Sequence, residues 1–258
     1  MISRRRAVIL TGLAGAAGAV GLWTLGRARA SVDLTGAEAV PVAGAPDELR
    51  IFVTMRNAGA ADRLIGATLD GIAAETVSDG DLILPAGSSP SLAADGAHLL
   101  VRGLPPPGEG AILPLTLTFA GAGAVATRAR VAPALRPGDA SAFGLMSLGG
   151  ICRAGPGEPA PEVALNLTAV DGGWRMHVAS SNFTFSEPAP DLGHIPGYGH
   201  GHLYLNGLKL QRMYSDTARI GALAPGDYAV SVTLNTNDHR AYVVGDTPVR
   251  ATATLRVG

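Results

Sequence analysis

Short runs that alternate apolar and polar residues, with Gly, Pro, Asn and Asp between them, dominate the chain after residue 30. Successive side chains of a strand point to opposite faces of a sheet, so this alternation is typical of half-buried strands. Clear runs lie at residues 49–55, 113–119, 163–169, 228–234 and 251–257. The same part of the sequence has no long helical periodicity. Strands at this spacing with turns between them predict an all-β fold built from sandwiches.

The 258-residue chain has a formal net charge of -1 and one cysteine, Cys152. With a single thiol no intramolecular disulfide can form, so the fold depends on core packing. We expect Cys152 to be buried and inert, with a reactive thiol or an intermolecular link as the alternatives. The near-neutral charge gives no basis for a nucleic acid or an anionic membrane as partner.

The first thirty residues have the three parts of a secretory signal peptide. An arginine cluster follows Ser3, residues 7–25 are apolar, and small residues precede the expected cleavage after Ala30. The cluster resembles a twin-arginine signal, so we predict export to the periplasm by the twin-arginine or the general secretory route. The alternative is an uncleaved membrane anchor, because the apolar stretch is about long enough to span a bilayer. We expect no other membrane association.

Residues 134–160 interrupt the strand pattern with many Gly and Pro residues and no clear alternation. Such a composition is typical of a connection between domains. The sequence therefore predicts a signal peptide at residues 1–30, a β-sandwich domain at residues 31–133, a linker at residues 134–160 and a second β-sandwich domain at residues 161–258.

Three segments of the first predicted domain resemble the periplasmic copper chaperones of the PCuAC type. They are residues 52–67, 96–104 and 113–119, and their order and spacing fit that family over most of residues 49–131. The resemblance implies a cupredoxin-like sandwich. It also implies a link to copper, which the family holds with two histidines and with methionines.

The resemblance fails at the metal ligands. Ala74 stands where the family has the histidine of its first ligand motif, and Leu100 stands where it has a methionine. His98 matches the second histidine. One histidine does not make a specific copper site, so the resemblance implies that this site is largely lost. We expect His98 to lie in the rim or the core, as a vestigial ligand.

Five of the six histidines lie in the second half of the chain, and two of them, His200 and His202, lie within six residues of the dipeptide Asn206-Gly207. Asn-Gly between alternating runs is a strong signal for a two-residue type I′ hairpin turn. With that turn, His202 is expected opposite Gln211, and His200 opposite Met213. The same register gives one face to four leucines, which we expect to pack into the core: Leu203, Leu205, Leu208 and Leu210.

His200 and His202 are two residues apart on one strand, so their rings point the same way, about 6.5–7 Å apart, and can converge on one ion. Met213 opposite His200 would add a thioether. Two imidazoles and a thioether suit copper better than zinc. His194, in the preceding Gly/Pro loop, and His239, at the end of a later strand, are further candidate ligands.

The segments GHGHLY at residues 199–204 and LNTNDH at residues 234–239 resemble an exported bacterial accessory module. The resemblance implies an Ig-like β-sandwich and an association with copper or another metal. The alternative is that the polar face of the hairpin is merely solvated and that its histidines bind nothing.

These features favour a non-enzymatic copper-binding protein of the periplasm, a chaperone or metallochaperone-like carrier that passes the ion to a recipient cuproprotein. We predict no catalytic residues, because the sequence has neither a nucleophile elbow nor a phosphate-binding glycine loop. A site on an exposed hairpin would favour exchange of the ion. The alternative is a non-metal interaction or structural protein of the cell envelope.

Overall fold

Strands make up nearly all of the regular structure in a computed structural model that describes residues 31–134 and 150–258. Within these two ranges the other regular element is one 3-10 turn, Pro190–Leu192. The prediction of an all-β protein is confirmed. The predicted signal peptide and most of the predicted linker lie outside the described residues. In the described ranges, no helix has the length and apolar character needed to cross a membrane.

The first half of the chain contains ten strands in the described residues. Their bounds are β1 Val32–Val42, β2 Ala45–Asn57, β3 Asp62–Leu69, β4 Ile72–Ala73, β5 Glu75–Val77, β6 Ile83–Leu84, β7 Ser91–Leu92, β8 His98–Arg102, β9 Ile112–Phe119 and β10 Gly123–Val131. β1 pairs antiparallel with β2 and parallel with β10, and β9 joins β10 to β3.

Alternating burial along these strands builds a first hydrophobic core. In β2 every second residue from Leu49 to Met55 is buried, and in β9 Leu115, Leu117 and Phe119 follow the same pattern. Burying a side chain of this size stabilises the fold by about 1.5–3 kcal/mol. The period-two pattern that predicted these strands is therefore also what gives them an apolar face to pack.

The second half contains eleven strands in the described residues. Their bounds are β11 Ile151–Arg153, β12 Glu162–Val170, β13 Gly173–Ser181, β14 Thr184–Phe185, β15 Tyr198–Leu205, β16 Leu208–Met213, β17 Thr217–Gly221, β18 Gly226–Thr236, β19 Ala241–Val244, β20 Thr247–Pro248 and β21 Arg250–Val257. β11 lies within the predicted linker and pairs in parallel with β19. Cys152 of β11 is buried and unpaired, in keeping with an inert thiol.

β18 lies at the centre of the second half, between β15 and β21. Its residues Val230, Val232 and Leu234 pack with Leu203 and Leu205 of β15 in a second hydrophobic core. A separate sheet of β12, β13 and β17 packs on the same core. One face of β15 is thus filled by apolar side chains, which leaves its other face for polar ones.

The hairpin β15–β16 connects the two halves. Lys209 of β16 pairs with Ser91 of β7, and the Ala97 amide donates a 2.8 Å hydrogen bond to the Gly207 carbonyl. Leu208, at the start of β16, packs in the first core. The other three leucines of the predicted apolar face pack in the second core. All four are buried as predicted, but they are divided between two cores.

Candidate functional site

The hairpin turn forms at Asn206 and Gly207, as predicted. Their φ angles are 49° and 80°, and a type I′ turn requires positive φ at both central residues. Leu205 and Leu208 pair on either side of the turn. The Asn206 side chain accepts a 2.9 Å hydrogen bond from the Ala229 amide, which ties the turn to β18.

A β-bulge then changes the register of the hairpin. Leu203 pairs with Gln211 instead of Leu210. A bulge inserts one residue into one strand, so each residue beyond it changes partner. His202 accordingly pairs with Arg212 and not with Gln211. The predicted register is correct next to the turn and wrong beyond the bulge.

The bulge removes Met213 from the predicted metal site. Met213 lies opposite Gly201, not His200, and is 2% exposed in the second core. A Cβ on Gly201 would lie 3.4 Å from the Met213 Cβ, so Met213 packs against the face of β15 that Gly201 shares with the core leucines. The histidines are on the opposite face. The prediction of Met213 as a ligand is therefore wrong.

Three histidines, two buried and one half-buried, form a cluster on the polar face of β15. His200 and His202 are 0% and 1% exposed, and their Nε2 atoms are 3.2 Å apart. His239 completes the cluster, with its ring centroid 4.5 Å from that of His200. The expectation of an exposed site is wrong, because residues 93–97 of the first half lie against this face.

His239 reaches the cluster from the turn after β18. Its φ of 70° is in the left-handed region, which residues other than glycine rarely adopt. The His239 amide donates a 3.0 Å hydrogen bond to the Thr236 carbonyl, and the Arg240 amide donates one of 3.1 Å to the Thr236 hydroxyl. Asp238 pairs with Arg240 at 2.8 Å. This closed turn fixes the direction of the His239 ring.

The ring nitrogens of the three histidines fit one small cation. One nitrogen from each lies within 4.8 Å of the other two. Two nitrogens bound to one ion are about 2.8 Å apart at square-planar angles and about 3.3 Å apart at tetrahedral angles. This range includes the 3.2 Å between His200 Nε2 and His202 Nε2. His239 Nε2 is buried and has no hydrogen-bond partner among the described residues. Burying such a nitrogen unpaired is costly, and a metal ion would satisfy it.

The electrostatics of the cluster keep its histidines neutral. Burial, followed by the charges of the neighbouring histidines, lowers the pKa of His200 to about 3. Burial lowers the pKa of His202 to about 4, although its hydrogen bond to Asp95 acts in the opposite direction. Burial also lowers the pKa of His239. Near neutral pH all three therefore carry the lone pair that a metal ion requires.

These shifts predict that the metal-free protein loses stability on mild acidification. A histidine whose pKa is lower in the folded state takes up its proton more readily when unfolded, so stability falls as the pH drops below 6.5. For His200 and His202 together we expect a loss of about 2–4 kcal/mol between pH 7 and pH 5. Urea unfolding in the presence of a chelator measures this, and an unchanged midpoint across that range would contradict it.

Asp95 of the first half is the site residue that sequence reasoning missed. Its Oδ2 accepts hydrogen bonds from His202 Nδ1 (2.7 Å), the Tyr204 hydroxyl (2.8 Å) and Lys209 Nζ (2.7 Å). Burial raises the pKa of Asp95, but the His202 hydrogen bond and the Lys209 charge together outweigh it and hold the pKa far below its usual range. In the sequence Asp95-Gly96 resembles an ordinary turn. The available signal was Lys209, the only lysine of the chain.

His194 lies away from the cluster. Its Nε2 is 3.1 Å from Glu158 Oε1, and its ring packs edge-on against Tyr242. The next residue, Ile195, donates its amide to Asn237 Oδ1 at 2.8 Å, and this contact holds the loop in place. The loop is therefore fixed in a position that gives His194 a carboxylate partner. The prediction of His194 as a ligand of the same ion is wrong.

His98 also lies outside the cluster. Its Nδ1 is 3.1 Å from the Gly96 carbonyl, and its ring packs edge-on against Phe52. Burial lowers the pKa of His98. In the described part of the chain, His98 belongs to no group of three or more His, Cys, Asp or Glu side chains that could hold a metal ion. These contacts are those of a packed histidine at the rim of the first core.

The fold and the site together define an all-β protein with a three-histidine cluster, two of whose members are buried. No family model matches the chain, and no curated protein matches its sequence. In structure it is similar to the apo PCuAC domain from PmoF1, with 19% identity and a TM-score of 0.37 over 40% of this chain and 94% of that one.

Two other solved structures also match the chain. The copper-bound PCuAC domain from PmoF2 is 19% identical, with a TM-score of 0.36 over 40% of this chain and 93% of that one. The E. coli chaperone DraB is 13% identical, with a TM-score of 0.25 over 88% of this chain and 97% of that one. The resemblance of the second half to an exported accessory module stays a prediction.

Proposed function

We propose that this protein is an exported copper-binding protein that holds one copper ion through His200, His202 and His239. The observation that carries the proposal is the convergence of three neutral imidazoles, two of them buried and one half-buried, with one nitrogen of each within 4.8 Å of the others. If the polar face of β15 served only solubility, it would be solvated and its histidines would lie apart. Here the first half of the chain covers it instead.

The donor set favours copper in its divalent form. Without Met213 the site has nitrogen ligands only, so the preference for copper over zinc that rested on a thioether no longer applies. Imidazole suits zinc and copper alike, but at a given nitrogen site Cu(II) binds more tightly than the other divalent ions of the first transition row. We therefore expect Cu(II) to displace Zn(II) from the cluster.

Burial changes the kind of carrier that is proposed. An ion held by His200 and His202 cannot leave directly into solvent, because both side chains are inaccessible. His239, on the turn after β18, is only half-buried, so release to a recipient protein would begin with movement of this turn. The proposed carrier therefore exchanges copper slowly by itself and faster with a recipient cuproprotein of the periplasm. The export signal predicted from the sequence of residues 1–30 supports that location.

Titration of the metal-free mature protein tests the proposal. We expect one equivalent of Cu(II) to bind, and at a free concentration of 100 times the dissociation constant it should stabilise the fold by about 2.7 kcal/mol. Cu(I) and Zn(II) are titrated in parallel, and tighter binding of Zn(II) than of Cu(II) would overturn the assignment to copper. Protein that takes up no ion would instead favour a non-metal interaction or structural role in the cell envelope, with the cluster as a packing feature.

A further inference from the structure

Asp95 joins the two halves of the protein at the histidine cluster. It lies in the turn of residues 93–97 between β7 and β8, whereas its partners His202, Tyr204 and Lys209 are all on the hairpin β15–β16. The side chains of Asp95 and His202 are each 1% exposed. Such an inaccessible contact between a carboxylate and an imidazole keeps bulk water away from both groups.

The contact also determines which nitrogen of His202 carries its proton. Asp95 is ionised and can only accept, so the 2.7 Å contact requires that His202 Nδ1 donates. The proton on Nδ1 leaves the lone pair on Nε2. His202 Nε2 is the atom that faces His200 Nε2 at 3.2 Å. The carboxylate of the first half therefore directs the lone pair of His202 into the cluster.

We propose that Asp95 is the positioning residue of the metal centre, which is complete only when the first half supplies this carboxylate to His202. The inference rests on the proposed function, since it assigns a role toward the same ion. A carboxylate behind a ligating histidine fixes its tautomer and ring orientation and raises its basicity. The ligands belong to the second half, but their affinity depends on the first.

The turn that carries Asp95 is held closely against the hairpin. The Ala97 amide donates to the Gly207 carbonyl at 2.8 Å. A Cβ on Gly96 would lie 2.6 Å from the Gly207 carbonyl oxygen and 3.1 Å from the Tyr204 ring. Only glycine allows the backbone to approach so closely. The position of the Asp95 carboxylate is therefore set by backbone contacts as well as by its own hydrogen bonds.

Lys209 makes the carboxylate indispensable to this arrangement. Its Nζ lies 2.7 Å from Asp95 Oδ2 and 3.0 Å from His202 Nδ1. Lys209 Nζ and His202 Nδ1–H are both donors, and Asp95 is the acceptor that they share. Without the negative charge of Asp95, Lys209 Nζ would donate to a lone pair on His202 Nδ1. This would favour the tautomer whose Nε2 is protonated and cannot bind metal.

The test compares Asp95→Asn with Asp79→Asn in the full mature protein. Asp79 is an exposed carboxylate 3.9 Å from Arg250 and is not one of the side chains grouped with the three histidines, so the control makes the same chemical change outside the cluster. For Asp95→Asn we expect a 10- to 100-fold loss of Cu(II) affinity, the range typical of carboxylates behind a metal-bound histidine. For Asp79→Asn we expect no change. The double variant Asp95→Asn/Lys209→Gln leaves no buried charge unpaired, so it tests the same point if the single variant folds poorly.

A second measurement needs no metal. The ¹⁵N chemical shifts of the His202 ring in the metal-free protein should report the Nδ1–H tautomer in wild type and a mixture or the other tautomer in both Asp95 variants. A merely structural contact would leave the tautomer unchanged. If wild type binds no Cu(II), the proposed function fails. If wild type binds Cu(II) and the Asp95 variants match it in affinity and tautomer, the positioning role alone is overturned.

Discussion

The double variant His200→Ala/His202→Ala should lose stoichiometric copper binding, with an affinity for Cu(II) lower by far more than the roughly 100-fold expected for a supporting residue. The variant removes two of three imidazoles, and the remaining His239 offers one nitrogen on a half-buried turn. A single imidazole does not form a specific site. Competition with a chelator of known affinity, followed by the copper content of the protein after gel filtration, measures the loss.

His177→Ala is the matched control for this experiment. His177 lies on β13 with half of its side chain exposed, and its Nε2 is 3.7 Å from Asp216 Oδ2. It is thus a histidine of the same half of the chain, but outside the cluster. We expect it to bind copper as wild type does. Because the double variant also opens a cavity, His239→Ala, which alters only the half-buried ligand, is measured beside it. Equal binding by wild type and both cluster variants would rule out the site.

Gly199→Ala should lower the free energy of unfolding by about 3 kcal/mol or more, because the added methyl group meets backbone and not a flexible side chain. A Cβ at this position would lie 1.9 Å from the Asn235 carbonyl oxygen and 2.9 Å from its carbonyl carbon. Gly199 pairs with Thr236, so the strands β15 and β18 must separate there. His200 is the next residue, and we expect copper affinity to fall together with stability.

The matched control is Gly66→Ala on β3. A Cβ at Gly66 meets nothing within 4 Å. Alanine also has less conformational entropy than glycine in the unfolded chain, so we expect the free energy of unfolding to stay within about 0.5 kcal/mol of wild type or to rise slightly. Urea unfolding of the two variants and wild type, with the slope checked for each, gives the difference. Similar midpoints for Gly199→Ala and wild type would show that β15 and β18 are less closely paired than described.

The parts of the structure that follow from local pattern could be predicted from the sequence. The strands at residues 49–55 and 113–119 carry their own alternation, and the Asn206-Gly207 turn is encoded by two residues that both accept positive φ. His200 and His202 could be placed on one face of a strand by counting. These features depend on interactions between residues close together in the chain.

The rest of the site depends on tertiary contacts that a single sequence does not reveal. The bulge at Leu210 has no Gly or Pro to indicate it, and it moved Met213 from the metal face to the core. Asp95 is an unremarkable turn residue until the first half packs on the hairpin. His194 is near His200 in the sequence, yet Asn237 holds its loop beside Glu158. Distance along the chain was therefore a poor guide to which histidines meet.

The hydrogen bond between Asp95 and His202 spans 107 positions of the chain. Contacts of such long range form late, because the loop between them must be closed before they contribute any stability. An unfolded or half-folded chain consequently has the three histidines but not the arrangement that makes them a binding site. For the proposed copper carrier, completed folding is then a precondition of metal binding, so the ion is acquired in the compartment where the chain folds or in one that it reaches afterwards.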